Sequence, residues 1–265
     1  MKKCISHFSA GATSAIATAI AIREYDECEI IYADTGSEDE DNFRFMHDCE
    51  EKLFGGRKVK VLKSTRFNNV REVFEHESMF SFRYFAPCTK EMKKFPIRDY
   101  LGDRMYEEDH IFGFDANEQT RADRFVDNNH ELPVYFPLLK YSITKGNALA
   151  LLDKFGVEMP RTYRLGYTRA NCIGCVKAQT KGYWAGVRED YPDIFDWYAK
   201  FERKINRRVI NDVWLDELPQ DVVMNRETNI NCGYSCGQVF DLIEHGKEVR
   251  ELTDDEVAEF YEKFF

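Results

Sequence analysis

The sequence predicts an α/β fold: a parallel sheet with helices on both faces, joined by a smaller cysteine-bearing helical subdomain. Three observations carry this. Apolar strand-like runs at residues 3–8, 29–34 and 59–62 alternate with helical stretches, the β-α-β-α-β order of a parallel sheet. The first run stops in a loop of small residues, Ser9-Ala10-Gly11-Ala12-Thr13-Ser14, and restarts in residues that favour a helix. Past about residue 160 the pattern changes to aromatic helices between cysteine-bearing turns. The expected division is 1–160 for the α/β part and 161–265 for the subdomain packed on it.

A strand that ends in a small-residue loop and re-enters a helix aims backbone N–H groups at one point, and the positive helix terminus adds to them. That suits a phosphate: Gly11 permits close approach, and Ser9, Thr13 and Ser14 offer hydroxyls. The plain alternative is a tight turn without a ligand. The second strand ends at Asp34-Thr35-Gly36. Ser37 reads as the N-cap of the next helix, with Glu40 completing a capping box. Phe45, Met46, Cys49 and Leu53 mark that helix's apolar stripe, and Gly55-Gly56 ends it. Residues 85–97 read as a loop entering a basic helix that breaks near Pro96.

A fourth strand is expected at 110–114, ending at Gly113-Phe114-Asp115. The helix after it carries Glu118, Arg121 and Arg124, three apart and so on one face. A surface salt-bridge ladder is the common fate of such a pattern, but the place beyond a strand's carboxyl end favours a ligand role. Residues 135–139 read as a fifth strand or extended segment. Helices follow at 144–155, stopped by Gly156, at 191–206, and from Thr253 to the last residue.

Composition bounds the function. The chain has 265 residues, 43% hydrophobic and 32% charged, with no apolar run of bilayer length. No secretory signal pattern is read at its start, so a cytoplasmic, reducing setting is expected, without a membrane partner. The eight cysteines then point to metal, catalysis or burial rather than to a disulfide framework. The net charge of −10 argues against a chain that coats nucleic acid by itself. Two stretches without acids, 55–71 and 160–188, stand out; the first reads as a solvated face and the second as an anion site.

Taken in order, several of these pieces resemble the adenine-nucleotide alpha-hydrolase-like superfamily, in its phosphoadenosine-phosphosulfate-reductase-like branch. They are Phe8 through Ser14, Asp34-Thr35-Gly36, Cys88-Thr89-Lys90-Glu91-Met92-Lys93-Lys94-Phe95-Pro96, residues 113–124 and Asn171-Cys172-Ile173-Gly174-Cys175, together spanning roughly residues 3–180. The resemblance implies a Rossmann-like sheet and an adenine nucleotide, ATP or an adenylyl sulfate (PAPS or APS). Its phosphates would lie on Ser9–Ser14 and its nucleoside near Asp34, with Gly113 and Glu118 beside it. Arg121 and Arg124 would neutralise phosphate or sulfate oxygens, a bidentate task suited to guanidinium. The family's ATP-cleaving loop has a second Gly, then Lys-Asp before the last Ser; Ala10, Ala12 and Thr13 stand there. The reductases' Glu-Cys-Gly tail is not read before Phe265.

Cys172 and Cys175 have the spacing that lets two thiolates reach one metal. The resemblance adds Cys88, and Cys232 or Cys236 as the fourth ligand of a 4Fe–4S cluster; structural zinc on the same ligands, or buried thiols, are the alternatives. The spare cysteine, taken as Cys236, would carry a persulfide. Cys4, Cys28 and Cys49 read as core. The implied activity is sulfur insertion: ATP with Mg²⁺ adenylates a nucleic-acid oxygen, and sulfur from a cysteine desulfurase replaces it. Similar proteins act in DNA phosphorothioation and tRNA thiolation, with partner subunits carrying the nucleic-acid contact. A sulfonucleotide reductase and a non-catalytic nucleotide-binding subunit are the alternatives.

Overall fold

The computed structural model describes residues 1–81, 86–227 and 249–265. Five strands of these residues form one all-parallel sheet in the order β3-β2-β1-β4-β5. They are β1 (Lys3–His7), β2 (Glu27–Asp34), β3 (Val59–Lys63), β4 (Asp109–Ile111) and β5 (Val134–Tyr135). The fold is therefore the expected Rossmann-like α/β architecture. Register runs Ile5 to Glu29 on one side of β1 and Ile5 to His110 on the other.

The helices, in order, are α1 (Ala12–Glu24), α2 (Asp41–Lys52), α3 (Val70–Glu77), α4 (Pro87–Thr89), α5 (Phe95–Leu101), α6 (Arg104–Glu107), α7 (Gln119–Asn128), α8 (Pro137–Lys140), α9 (Lys145–Lys154), α10 (Arg161–Arg164), α11 (Lys181–Asp190), α12 (Pro192–Lys204) and α13 (Asp254–Phe264). Because strand side chains alternate, the two faces of the sheet have separate cores. Cys4, Ile30, Tyr32 and Ile111 pack with α1, α2 and α9. Ile5, Ile31 and Leu62 pack on the other face with Ile97, Leu101 and Met105 of α5 and α6. Helix α1 is buried almost all round, from Ala12 to Ala21, which its small residues permit between sheet and α9. Its hydroxyls stay satisfied: Thr18 Oγ1 donates to the Ser14 carbonyl at 2.7 Å and lies 2.7 Å from Ser6 Oγ.

Another apolar cluster gathers Val73 and Phe74 of α3, Met92, Trp184 of α11 and Tyr198 of α12. Each of its large side chains contributes about 1.5–3 kcal/mol on full burial. It draws on residues both before and after position 160, with Trp184 Nε1 tied to the Ala178 carbonyl at 2.7 Å.

Local details differ from the sequence reading. Helix α2 starts at Asp41, not at Ser37: Ser37 Oγ accepts from the Val70 N–H at 3.0 Å, and Asp39 Oδ1 accepts from the Asp41 N–H at 2.9 Å. The expected capping box is absent because Ser37 is recruited by α3. The basic helix does not break at Pro96. A π-helical turn at Lys90–Lys94 closes with the Phe95 N–H on the Lys90 carbonyl, and the proline sits in the first turn of α5, where its missing N–H costs least. Strand β4 ends at Ile111, and a 3₁₀ turn (Ala116–Glu118) capped by Asp115 precedes α7. The fifth strand is short and turns at once into α8. No described helix is long and apolar enough to cross a membrane.

Candidate functional site

In an open parallel sheet, ligands bind outside the carboxyl ends of the strands where the strand order reverses. Here that place lies between β1 and β4, because β1 has β2 on one side and β4 on the other. A cleft opens there with about 1150 Å³ of atom-free space, its open mouth included. Its floor is Phe8, Ile31, Tyr32, Ala33 and Phe112; one end is the loop after β1, and one wall the segment after β4.

The loop is shaped by Ser14. Its Oγ donates to the Gly11 carbonyl at 2.9 Å and accepts from the Ser9 N–H and Ser9 Oγ, each at 3.1 Å. Ala10, fully buried, takes a left-handed φ of 55°, a strained state for a residue with a Cβ and one that concentrates at functional turns. The N–H groups of Gly11, Thr13 and Ser14 have no acceptor among the described residues. They open the first turn of α1, where the helix field favours an anion. The Tyr163 hydroxyl, which also lines the cleft, accepts from the Ala12 N–H, and burial pushes its pKa up.

Gly113 explains how the two loops meet. A Cβ there would lie 2.6 Å from both Cα and N of Ser14 and 2.9 Å from the carbonyl carbon of Thr13. Only glycine lets the chain after β4 touch the backbone at the start of α1.

Cations and acids share the cleft. Lys93, Arg121, Lys145 and Arg169 line it, with Glu38, Asp115 and Glu118. Arg121 pairs with Glu118 and lies 4.2 Å over the Phe114 ring. Arg169 comes within 3.9 Å of Glu118, and Lys93 within 3.8 Å of Glu38. Lys145 donates to the Thr168 carbonyl; burial, then Arg169 beside it, lowers its ammonium pKa. Burial, then Glu118, raises the Asp115 carboxyl.

A histidine pair lies at the end of β1. His110 Nε2 faces the Met105 carbonyl at 2.9 Å and so carries the proton. Its Nδ1 therefore accepts from His7 Nε2 at 2.7 Å. Burial, then His110, holds the His7 pKa well below the usual value, and burial lowers His110 too.

Of the residues expected to bind cofactor, Ser9, Gly11, Thr13, Ser14, Gly113 and Glu118 line the cleft, as does Arg121. Ala10 and Ala12 belong to the loop but are not part of the cleft wall. Asp34 and Arg124 also lie off it. Asp34 accepts from the Gly36 N–H at 2.8 Å and pairs with Lys63 at 3.0 Å, so its carboxylate holds the turn rather than facing the cleft. Lys93, Lys145, Tyr163 and Arg169 were not among the expected site residues. Arg169 lay in the acid-free stretch 160–188, and Lys145 in the first turn of a helix, but no local pattern joins them. In the other acid-free stretch, Lys58, Lys63 and Arg66 pair with Glu50, Asp34 and Glu91.

Cys88, Cys172 and Cys175 pack against one apolar cluster within electrostatic reach of Tyr198. They do not assemble a ligand set: no three His, Cys, Asp or Glu side chains of the described residues have metal-holding geometry. Cys172 Sγ lies 3.1 Å from Thr35 Oγ1 and 3.7 Å from Glu38 Oε1, and burial, then Glu38, pushes its thiol pKa well up. Cys88 Sγ lies 3.0 Å from Ser81 Oγ. The Gly174 and Cys175 N–H groups, at 3.0 and 3.1 Å, are taken by the Tyr183 hydroxyl. Burial and then Glu38 favour the protonated Cys172 thiol, and Cys88 has an oxygen partner in Ser81, so the described residues alone do not make a ligand set for a cluster or zinc. Cys232 and Cys236 lie outside the described residues. Cys4 and Cys49 are buried and Cys28 half-buried, in strand and helix as expected.

Comparison with known proteins agrees with this geometry. The family model described as phosphoadenosine phosphosulfate reductase domain matches residues 3–180. An uncharacterized protein of Methanocaldococcus jannaschii is 27% identical over 207 residues, covering 74% of this chain and 47% of that protein. The matched stretch thus spans about half the length of that relative.

Proposed function

The chain belongs to the phosphoadenosine phosphosulfate reductase domain family, and on that premise we propose that it binds an adenine nucleotide in the β1/β4 cleft and uses it in sulfur transfer. The observation that carries the reading is the loop at 9–14. Three N–H groups at a helix start, without an acceptor among the described residues, face a cleft lined by four cations. In the reaction we favour, the ligand is ATP, and Mg²⁺ enters as its counter-ion. An acceptor oxygen attacks the α-phosphorus and pyrophosphate leaves; the outer sulfur of a persulfide then displaces the adenylylated oxygen with AMP as leaving group, and a second thiol cleaves the S–S bond so formed, leaving as a disulfide. The loop amides and the cleft cations hold the phosphates in line and offset charge on the departing pyrophosphate. The sulfur source would be a cysteine desulfurase, and a nucleic-acid acceptor, as in DNA phosphorothioation, would be presented by partner subunits.

A second reading is sulfonucleotide reduction, releasing sulfite and the adenosine phosphate from an adenylyl sulfate while a thiol reductant is oxidised to a disulfide. The placement of Cys172 favours it: its neighbour Asn171 lines the cleft, and its thiol meets Glu38, which also lines it. Incubation of the purified protein with ATP, and with adenylyl sulfates in the presence of a dithiol reductant, separates the two. Pyrophosphate supports the first and sulfite the second. Nucleotide binding with neither product leaves a binding subunit and removes the enzymatic claim.

A further inference from the structure

The loop at 9–14 and the first turn of α1 hold no charged side chain. Backbone amides and a helix terminus offer partial charges, while a polyphosphate carries several full ones. The balancing cations must come from elsewhere in the fold. Among the cleft cations, Arg121 and Arg169 share Glu118, and Lys93 faces Glu38. Lys145 stands apart. Its Nζ is anchored to a backbone carbonyl, that of Thr168, and no carboxylate of the described residues lies within 4.0 Å of it. It also sits 5.5 Å from the ring centre of Tyr163, whose hydroxyl reaches the Ala12 N–H beside the unpaired amides. Asp115, Glu118 and Glu227 act on it only from beyond ion-pair distance, so this half-buried cation next to the turn is poised for an external anion.

We propose that Lys145, presented by the first turn of α9, supplies the full positive charge for the phosphate tail of the bound nucleotide, in place of a cation on the loop itself. This rests on the reading that the cleft takes an adenine nucleotide. It commits the site to nucleotides with an extended anionic tail, a triphosphate or phosphosulfate, over AMP and adenosine.

The test is titration calorimetry of the full chain with ATP, AMP and adenosine. Lys145→Met keeps the stem and removes the charge; it is expected to weaken ATP about 10- to 100-fold, the value of a charged hydrogen bond, and to leave adenosine unchanged. Lys145→Arg keeps most of the ATP affinity, and Thr13→Lys added to Lys145→Met recovers part of it. Lys145→Gln replaces the Met variant if that one melts early. ATP affinity unchanged in Lys145→Met, or an equal loss for ATP and adenosine, overturns the assignment while the nucleotide reading survives. A wild-type chain that binds none of the three overturns both.

Discussion

Replacing Gly113 with alanine tests whether the cleft works as one unit. The added Cβ meets Cα and N of Ser14 at 2.6 Å, whereas ordinary contacts begin near 3.4 Å, so the two backbones must part by about 0.8 Å. The strain cannot come from torsion, since Gly113 does not have a positive φ. It cannot be relieved by a side-chain swing either, because the atoms in the way are main chain at the start of α1. That helix is buried between the sheet and α9 and has little room to slide. Overpacking of this kind costs about 1–3 kcal/mol. At roughly 2–4 °C per kcal/mol for a chain of this size, Tm should fall by about 2–12 °C. Displacing the Ser14 N–H also removes one of the unpaired donors, so ATP affinity should drop about tenfold or more. Scanning calorimetry with and without ATP reads both effects. A variant with wild-type Tm and wild-type affinity would refute the close approach and, with it, the geometry assigned to the loop.

The hydroxyl of Ser14 makes three hydrogen bonds that set the loop, so Ser14→Ala should cost about 1–3 kcal/mol in denaturant unfolding and weaken ATP binding in calorimetry. Equal affinity in the two proteins would remove the loop from recognition. Asp39 is fully buried and accepts from Arg161 at 3.0 and 3.1 Å and from the Tyr191 hydroxyl at 2.5 Å. Arg161→Ala should therefore destabilise by about 1–2 kcal/mol, discounted because the guanidinium is 43% exposed; Arg161→Ala paired with Asp39→Asn should recover part of that loss, and no recovery would mean the pair is not coupled. The pair of half-buried His7 and buried His110 has folded pKa values below the unfolded one, so below about pH 6.5 the unfolded chain binds more protons. Glu108 and Asp109 act against this at His110 without reversing it. Stability should thus be present above pH 6.5 and fall below it, by up to about 1.4 kcal/mol per pH unit for each proton. His7→Phe, which keeps the stack on Phe112, should flatten that slope between pH 7.5 and 5.5, and an unchanged slope would place the acid sensitivity elsewhere.

Local signals carried the frame of this fold. The small-residue loop between strand and helix, the alternation of apolar runs and the glycines that stop α2 and α9 each act over a few residues, where sequence neighbours are also spatial neighbours. The same holds for the Thr253 cap of α13, which forms with Glu256 as its spacing indicates. Local signals misled where a distant group competed. Ser37 had a sound capping pattern but was taken by the Val70 N–H. Pro96 looked like a helix breaker until a π-helical turn absorbed it.

By itself, then, the amino-acid order determined a parallel α/β sheet and the turn where an anion can be gripped, because backbone propensity and hydrophobic period are properties of short stretches. Only the tertiary structure decided which cations face that turn. Lys93, Arg121, Lys145 and Arg169 come from four separate segments, and what unites them is the reversal of strand order between β1 and β4. It also decided that Cys172 meets Thr35 and Glu38, residues far from it along the chain. Charge compensation and ligand geometry depend on distances of a few ångströms across the fold, and no spacing along the chain encodes those.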